Sequence, residues 1–158
     1  GERTRGVVVA LFDLDGFKNV NDAYGHAVGD VVLAEFARRL VAAVRKTDIV
    51  GRYGGDEFVV ALRLENGVEP FEAVERIRET VIREPFESVA GLHALGVTAG
   101  FVDASDGRST EEALRLADEA LILGKARRKN RTYMADAPGA DPQANRPPAG
   151  DRRQRRLG

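Results

Sequence analysis

The stretch DIVGRYGGDEFVVALRL, residues 48–64, decides the fold more than any other part of the sequence. Strand-like runs occupy residues 48–53 and 57–64, on either side of the pair Gly54-Gly55. A glycine pair between two such runs is typical of a tight β-hairpin, because glycine accepts the backbone angles that these turns require. This stretch therefore predicts two neighbouring antiparallel strands.

The rest of the chain reads as further strands and helices. Residues 7–12, VVVALF, predict a fully buried strand, because the run is short, apolar and rich in β-branched residues. Apolar spacings of three and four residues predict three helices, which lie at 27–45, from Pro70 to before Pro85, and from a capping box at Ser109 and Glu112 onward. Strand-like runs follow at 89–102, broken by glycines, and at 131–134. This order predicts an α+β fold, a ferredoxin-like, palm-type mixed antiparallel sheet flanked by helices.

Composition indicates one ordinary water-soluble domain. The chain has 158 residues, of which 43% are hydrophobic and 31% charged. It has no cysteine, which excludes a disulfide scaffold, a thiolate nucleophile and cysteine-ligated metal sites. The longest apolar run, at 6–12, is too short to cross a bilayer. A net charge of −1 argues against nucleic-acid binding by bulk charge.

Charge and composition divide the chain at residue 135. Residues 136–158 are rich in Pro, Gly and Arg and carry a net charge of +2, whereas residues 1–135 carry −3. We therefore expect a domain over 1–135 and a disordered tail over 136–158, with its arginines solvated rather than bound to lipid or RNA. Because the chain begins with Gly1, we expect it to be a piece of a longer protein, with no signal peptide in what is present.

Two acidic clusters follow predicted strands. Asp13 and Asp15 come directly after the buried strand, and Asp56 and Glu57 come directly after the glycine pair. If these strands are neighbours, the carboxylates meet at one sheet edge, where a cation between them would relieve their repulsion. Oxygen ligands favour Mg²⁺, Mn²⁺ or Ca²⁺. Because strand side chains alternate, one of Asp56 and Glu57 should be the principal ligand. Either cluster alone is better explained as turn and edge residues.

The polar stretch at 16–30 is a candidate nucleotide site. Exposed amides around Gly16 and Phe17, with Lys18 beside them, could receive a phosphate. Asn21 and Asp30 could together bind a guanine edge, since a carboxylate accepts from guanine N1 and N2 and an amide serves O6 or N3. Taken alone, Asn21 is better explained as a turn residue, and Asp30 as a negative charge that is favourable at a helix N-terminus.

Several separated motifs, in order and spacing, resemble the GGDEF domain family of diguanylate cyclases over roughly residues 7–135. They are Phe12-Asp13-Leu14-Asp15-Gly16-Phe17-Lys18-Asn19-Val20-Asn21-Asp22, Tyr24-Gly25-His26, Gly29-Asp30 and Arg52-Tyr53-Gly54-Gly55-Asp56-Glu57-Phe58. The resemblance implies a cytoplasmic enzyme that condenses two GTP into cyclic di-GMP, with the signature in a β-hairpin. The parent protein could be attached to a membrane.

The resemblance also implies residue roles. Asp13, Asp56, Glu57 and the Leu14 carbonyl would hold Mg²⁺ or Mn²⁺, two ions per active site. Asp56 would assist deprotonation of the attacking 3′-hydroxyl, and Glu57 and Lys18 would join it in catalysis. The substrate contacts would come from Gly16, Phe17, Lys18, Asn21, Asp30, Lys125 and Lys129. Each subunit would hold one GTP, so the active enzyme would be a two-fold homodimer.

A product-inhibition site is the other implied feature. Arg45 and Asp48 form an RxxD pattern at the family's spacing before Gly54, where cyclic di-GMP would bind. Arg45 also ends a predicted helix, where positive charge is favourable without any ligand. The spacing favours the inhibitory site.

The sequence departs from the family pattern at three places. The upstream segment of D-x-L-T-G-L-x-N-R type is absent, Ile122 and Gly124 replace tyrosine and alanine, and Lys129 replaces an arginine that contacts phosphate. A lysine keeps the charge but loses the bidentate fork. An inactive receptor for GTP or cyclic di-GMP is therefore the alternative function, and a dimerisation module would not need these polar residues. We also expect a sensor domain upstream of the chain.

Overall fold

The computed structural model describes residues 6–135, which form seven strands and four helices. They are β1 (Gly6–Leu14), α1 (Phe17–Tyr24), α2 (His26–Ala43), β2 (Ile49–Arg52), β3 (Glu57–Leu64), α3 (Pro70–Ile82), β4 (Phe86–Ser88), β5 (Gly91–His93), β6 (Val97–Asp103), α4 (Thr110–Arg127) and β7 (Thr132–Met134).

Five strands form one sheet in the order β2-β3-β1-β6-β7, and β4 and β5 form a separate two-stranded sheet. Within the larger sheet only β6 and β7 are parallel. Helices lie against both faces of this sheet. The α+β fold with a mixed, mostly antiparallel sheet is therefore confirmed.

β1 is the central strand, and its side chains alternate between two apolar cores. On one face Val8, Ala10, Phe12 and Leu14 join residues of α2 and α3; on the other, Val9 and Leu11 join residues of α4. Burial on both faces explains the unbroken apolar run. The alternation places the next odd-numbered residue, Asp13, on the face that α4 covers.

α4 packs unusually close to the sheet at Gly100 of β6. A Cβ at this position would lie 2.4 Å from the backbone nitrogen of Leu121 and 2.5 Å from the carbonyl oxygen of Ala117. The helix begins as the sequence predicts, because the Ser109 side chain accepts a hydrogen bond from the Glu112 amide at 3.2 Å. These contacts fix the height of α4 over the sheet.

Two parts of the secondary structure differ from the sequence-based expectation. Residues 17–24, for which the sequence predicts no helix, form α1, because buried Val20 anchors this segment to the core. The predicted broken strand at 89–102 is instead part of a β4–β5 hairpin followed by the separate strand β6. The hairpin turns at Val89 and Ala90, and Gly91 leaves the turn with φ +115°.

The predicted tail over 136–158 lies outside the described residues. Within residues 6–135, no helix is both long and apolar enough to cross a membrane.

Candidate active site

Strand pairing brings the two acidic clusters to one edge of the sheet. Asp13 lies directly opposite Glu57 in the β1–β3 register. Residues Tyr53 to Asp56 form the hairpin loop, which is longer than the two-residue turn expected. The Glu57 carbonyl accepts hydrogen bonds from the amides of Tyr53 and Gly54 at 2.9 and 3.2 Å. The signature is therefore held beside the end of β1.

Asp13 is a buried carboxylate with one oxygen left without a partner. Its side chain is 5% exposed, and its Oδ1 has no hydrogen bond. Its Oδ2 accepts a hydrogen bond from Lys125 Nζ on α4. Burial raises the pKa of Asp13 to about 7, although Lys125 opposes the shift, and the negative charge of Asp56 adds to it. A buried, unsatisfied carboxylate oxygen is costly unless a cation or donor approaches it.

The donor set suits a magnesium-type ion that is shared with a substrate. No group of three or more His, Cys, Asp or Glu residues suited to a metal gathers within the described part of the chain. Mg²⁺ is commonly held by one or two carboxylates together with water and substrate phosphates. The free oxygen of Asp13 and the neighbouring Asp56 carboxylate fit that pattern, and the carbonyl of Leu14, the last residue of β1, stays a predicted ligand.

Glu57 interacts electrostatically with Asp56 and Lys125, and also with Asp118, which the sequence did not single out. Burial raises the pKa of Glu57, and the nearby charges of Asp118 and Asp56 raise it further. Asp118 and Lys125 are seven positions apart in α4, which places them on one face of the helix two turns apart. That spacing is the signal that could have identified Asp118.

The β1–α1 loop presents backbone amides beside the carboxylates. Gly16 has φ +74°, a left-handed conformation that turns the chain from β1 directly into α1. No side chain caps α1, so the amides of its first turn, with Phe17 and exposed Lys18, remain available to an anion. The structure therefore brings the predicted phosphate contacts to the same edge as Asp13.

Asn21 and Asp30 lie on different helices that meet at Gly29. A Cβ on Gly29 would lie 1.7 Å from Asn21 Oδ1 and 3.4 Å from the tip of the Phe17 ring. The missing side chain therefore makes room for the Asn21 amide beside the backbone that carries Asp30. Asp30 is exposed in the first two turns of α2. The α1–α2 corner thus gathers the predicted guanine-binding pair.

The far side of the site is formed by α4 and the loop to β7. Exposed Lys129 lies in that loop, and Lys125 faces Asp13. Gly124, where the family has alanine, carries the ring of Tyr133, since a Cβ there would lie 2.1 Å from Tyr133 Cδ2. Ile122, where the family has tyrosine, is exposed, and nothing in the structure explains this replacement.

Arg45 and Asp48 lie at the other end of the sheet. The Asp48 carboxylate accepts hydrogen bonds from the backbone amides of Arg45 at 2.9 Å and Arg63 at 3.1 Å. Arg63 pairs with Val7, six residues before Asp13 and so about 20 Å away along β1. The Arg45 side chain is half exposed, pairs with Glu65 at 2.7 Å and lines an open pocket of about 720 Å³. The RxxD residues are therefore separate from the acidic edge.

Comparison with known proteins identifies the family. The chain matches the family described as diguanylate cyclase, GGDEF domain, over residues 2–131, and it belongs to that family. It is 40% identical over 127 residues to the response regulator PleD of Caulobacter vibrioides, and 36% identical over 127 residues to diguanylate cyclase DosC of Escherichia coli K12. These alignments cover 78% and 80% of this chain but only 28% of each relative.

Solved structures agree with the assignment. The GGDEF domain of YfiN from Pseudomonas aeruginosa matches with a TM-score of 0.77 and 31% identity, covering 87% of this chain and 86% of that one. The GGDEF domain of DgcB from Caulobacter crescentus, solved in complex with c-di-GMP, matches with a TM-score of 0.75 and 29% identity, covering 84% and 80%.

Proposed function

We propose that this domain condenses two GTP into cyclic di-GMP and pyrophosphate. The observation that carries the proposal is the buried Asp13 carboxylate, with one oxygen free and one on Lys125, beside Asp56 and the amides that follow Gly16. This edge offers negative ligands for cations and positive groups for phosphates within one small space. Membership of the family supports the reaction.

Each part of the edge has a distinct task in this proposal. Asp13, Asp56 and the Leu14 carbonyl would hold two divalent ions per active site, with Glu57 close by. When bound, these ions would lower the pKa of the 3′-hydroxyl and neutralise the charge on pyrophosphate. Lys18, Lys125, Lys129 and the first amides of α1 bind and orient the triphosphate. Asn21 and Asp30 hold the guanine edge.

The bond changes require two subunits. Asp56 assists transfer of the 3′-hydroxyl proton to water. The 3′-oxygen then bonds to the α-phosphorus of the other GTP, and the bond from that phosphorus to pyrophosphate breaks. Because each domain holds one GTP, a second copy must present the other across a two-fold axis. The reaction at both ends closes the ring.

Incubation of the purified protein with GTP and Mg²⁺ tests the activity. Cyclic di-GMP and pyrophosphate should accumulate in wild type and be lost in Asp56→Ala. Absence of product from a dimeric protein would contradict the cyclase. Retention of GTP or cyclic di-GMP binding in that case would identify the receptor alternative.

We also propose product inhibition at Arg45 and Asp48. The exposed Arg45 guanidinium can leave Glu65 at little cost, because exposed ion pairs contribute about 0–1 kcal/mol. Arg45→Ala should weaken cyclic di-GMP binding and relieve inhibition in the presence of added product. Unchanged binding in a calorimetric titration would rule the site out. Asp48 is the poorer test, since its carboxylate also holds two backbone amides.

A further inference from the structure

Beneath the candidate phosphate contacts lies a buried polar network that has no role in the proposed chemistry. It joins the β1–α1 loop, which carries Gly16, to the α4–β7 loop, which carries Lys129. We propose that Asn130 is a positioning residue that holds these two loops at a fixed distance, so that both contact the triphosphate of the same GTP. This inference rests on the proposed function.

The backbone of Asn130 is the first support. Among residues 6–135 it is the only non-glycine residue with a positive φ, at 59°, a conformation that asparagine tolerates better than most residues. In this conformation the backbone N–H of Asn130 donates hydrogen bonds to Asp15 Oδ2 at 2.9 Å and to Thr98 Oγ1 at 3.0 Å. Thr98 Oγ1 in turn donates to Asp15 Oδ1 at 2.7 Å. Asp15 directly precedes Gly16, and Asn130 directly follows Lys129.

The side chain of Asn130 is the second support. Its Oδ1 accepts hydrogen bonds from Arg78 Nη1 at 2.8 Å and from the Val97 amide at 3.2 Å. Arg78 is buried in α3, with a side chain 7% exposed, and it is paired with Glu75. The oxygen therefore ties the α4–β7 loop to α3 and to the start of β6.

Close packing at Gly96 leaves little freedom for an alternative arrangement. A Cβ on Gly96 would lie 2.8 Å from Asn130 Cγ, and the Gly96 carbonyl accepts the Asp15 amide at 2.9 Å. Both loops are thus fastened to one backbone segment. Within the described residues Asn130 bonds to Asp15, Thr98, Arg78 and Val97 and to none of Asp13, Asp56 and Lys125, so its effect on a bound nucleotide has to pass through the two loops.

The test compares three substitutions of Asn130 and measures binding as well as rate. Asn130→Gly keeps the backbone conformation but loses the acceptor, Asn130→Ala loses both, and Asn130→Asp keeps an acceptor for Arg78 and tolerates the positive φ. The exposed Asn66→Gly is the matched control. Thermal unfolding shows that each variant is folded before it is compared.

Asn130→Gly should lower kcat/KM for GTP by about 10- to 100-fold, chiefly through KM, because displaced binding groups no longer meet the triphosphate. Calorimetry should show weaker GTP binding but unchanged guanosine binding, since Val20 anchors α1, and with it Asn21, to the core, and Asp30 lies on α2. Asn130→Asp should restore most of the GTP affinity. Asn66→Gly, which lies in the Arg45 pocket, should leave GTP and guanosine binding unchanged.

Equal losses for GTP and guanosine, or no loss for either, would overturn the positioning role. So would an Asn130→Asp variant as weak as Asn130→Ala. A wild type that binds GTP without forming product would contradict the proposed function instead, and the binding comparison would still decide the role of Asn130. A wild type that binds no GTP would overturn both.

Discussion

A single side chain, Asn21, depends on the absence of another at Gly29. The Asn21 amide occupies the space that any Cβ at position 29 would fill. Glycine in the first turns of a helix is otherwise unfavourable, costing about 0.5–1 kcal/mol relative to alanine. The sequence therefore accepts a weaker helix where the proposed guanine contact requires room.

Gly29→Ala should separate stability from binding. The free energy of unfolding should stay constant or rise by up to about 1 kcal/mol, because Asn21 can rotate away. GTP affinity should fall by roughly 3- to 10-fold, the worth of one neutral hydrogen bond. Calorimetry with GTP and urea unfolding measure the two effects.

A double variant provides the control. Once Asn21→Ala has removed the amide, Gly29→Ala should cost no further affinity. Additive losses would show that Gly29 acts on binding by some route other than Asn21.

The Lys125 ammonium group contacts Asp13, the carboxylate that we propose as a metal ligand. An ion that binds Asp13 has to compete with this lysine. Lys125→Met should therefore strengthen Mn²⁺ binding in the absence of nucleotide and weaken GTP binding. Electron paramagnetic resonance titration of free Mn²⁺ measures the first effect.

Lys129→Met serves as the matched control for this charge. It should weaken GTP binding without strengthening the binding of Mn²⁺ alone. If Lys125→Met left Mn²⁺ affinity unchanged or lowered it, competition between the lysine and the ion would be refuted.

At the scale of elements, periodic segments could be predicted and short ones could not. β1, the hairpin strands and the three long helices follow from their apolar patterns. α1 escapes this approach because its residues are mostly polar and its single buried anchor, Val20, gives no period. The network around Asn130 escapes it too, since hydrogen bonds between distant loops leave no spacing in the sequence. By contrast, the acidic edge could be foreseen on the condition that β1 and β3 are neighbours, and the two strands do pair.

α2 is joined to α3 and β4 by one arginine. Arg39 donates hydrogen bonds to the carbonyls of Val81 and Pro85, both at 2.9 Å, and lies 4.2 Å over the Phe86 ring. Glu35 pairs with Arg39 and with Arg38, and the hydrogen bonds from Arg38 and then Arg39 lower the pKa of Glu35 to about 2.

This pairing predicts a pH dependence of stability. A carboxylate with a lowered pKa stabilises the fold above its ordinary pKa of 4.5, and this contribution is lost as pH falls towards about 2. Glu35→Gln should therefore lower the free energy of unfolding at pH 7, by about 1 kcal/mol or less because the pair is partly solvated. Urea unfolding from pH 7 to 3 should show the difference shrinking below pH 4.5. A constant difference would contradict the assignment.

At the scale of the whole molecule, the sheet separates two sites of different proposed purpose. The acidic edge lies where β1 ends and β3 begins, and the Arg45 pocket lies at the opposite end of the same strands. Product bound at the Arg45 pocket would therefore leave the acidic edge of its own subunit uncovered. Inhibition would then act on how two subunits meet rather than by blocking the substrate.

The two-fold mechanism predicts that specific activity depends on protein concentration. Below the dissociation constant of the dimer, activity per milligram should rise in proportion to concentration, since only paired subunits can form the new bonds. Initial rates over a hundredfold dilution series, with light scattering on the same samples, measure this. Constant specific activity from a monomer would exclude the mechanism.

Gly100 sits in the middle of the sheet, away from every proposed ligand, yet it sets the spacing of the site. With no Cβ at this position, the backbone of α4 rests almost directly on β6. One added methyl group would lift the helix that carries Lys125 and Asp118 away from the strand that carries Asp13. The absence of a side chain at Gly100 therefore sets the distance between the charges on α4 and the carboxylate on β1.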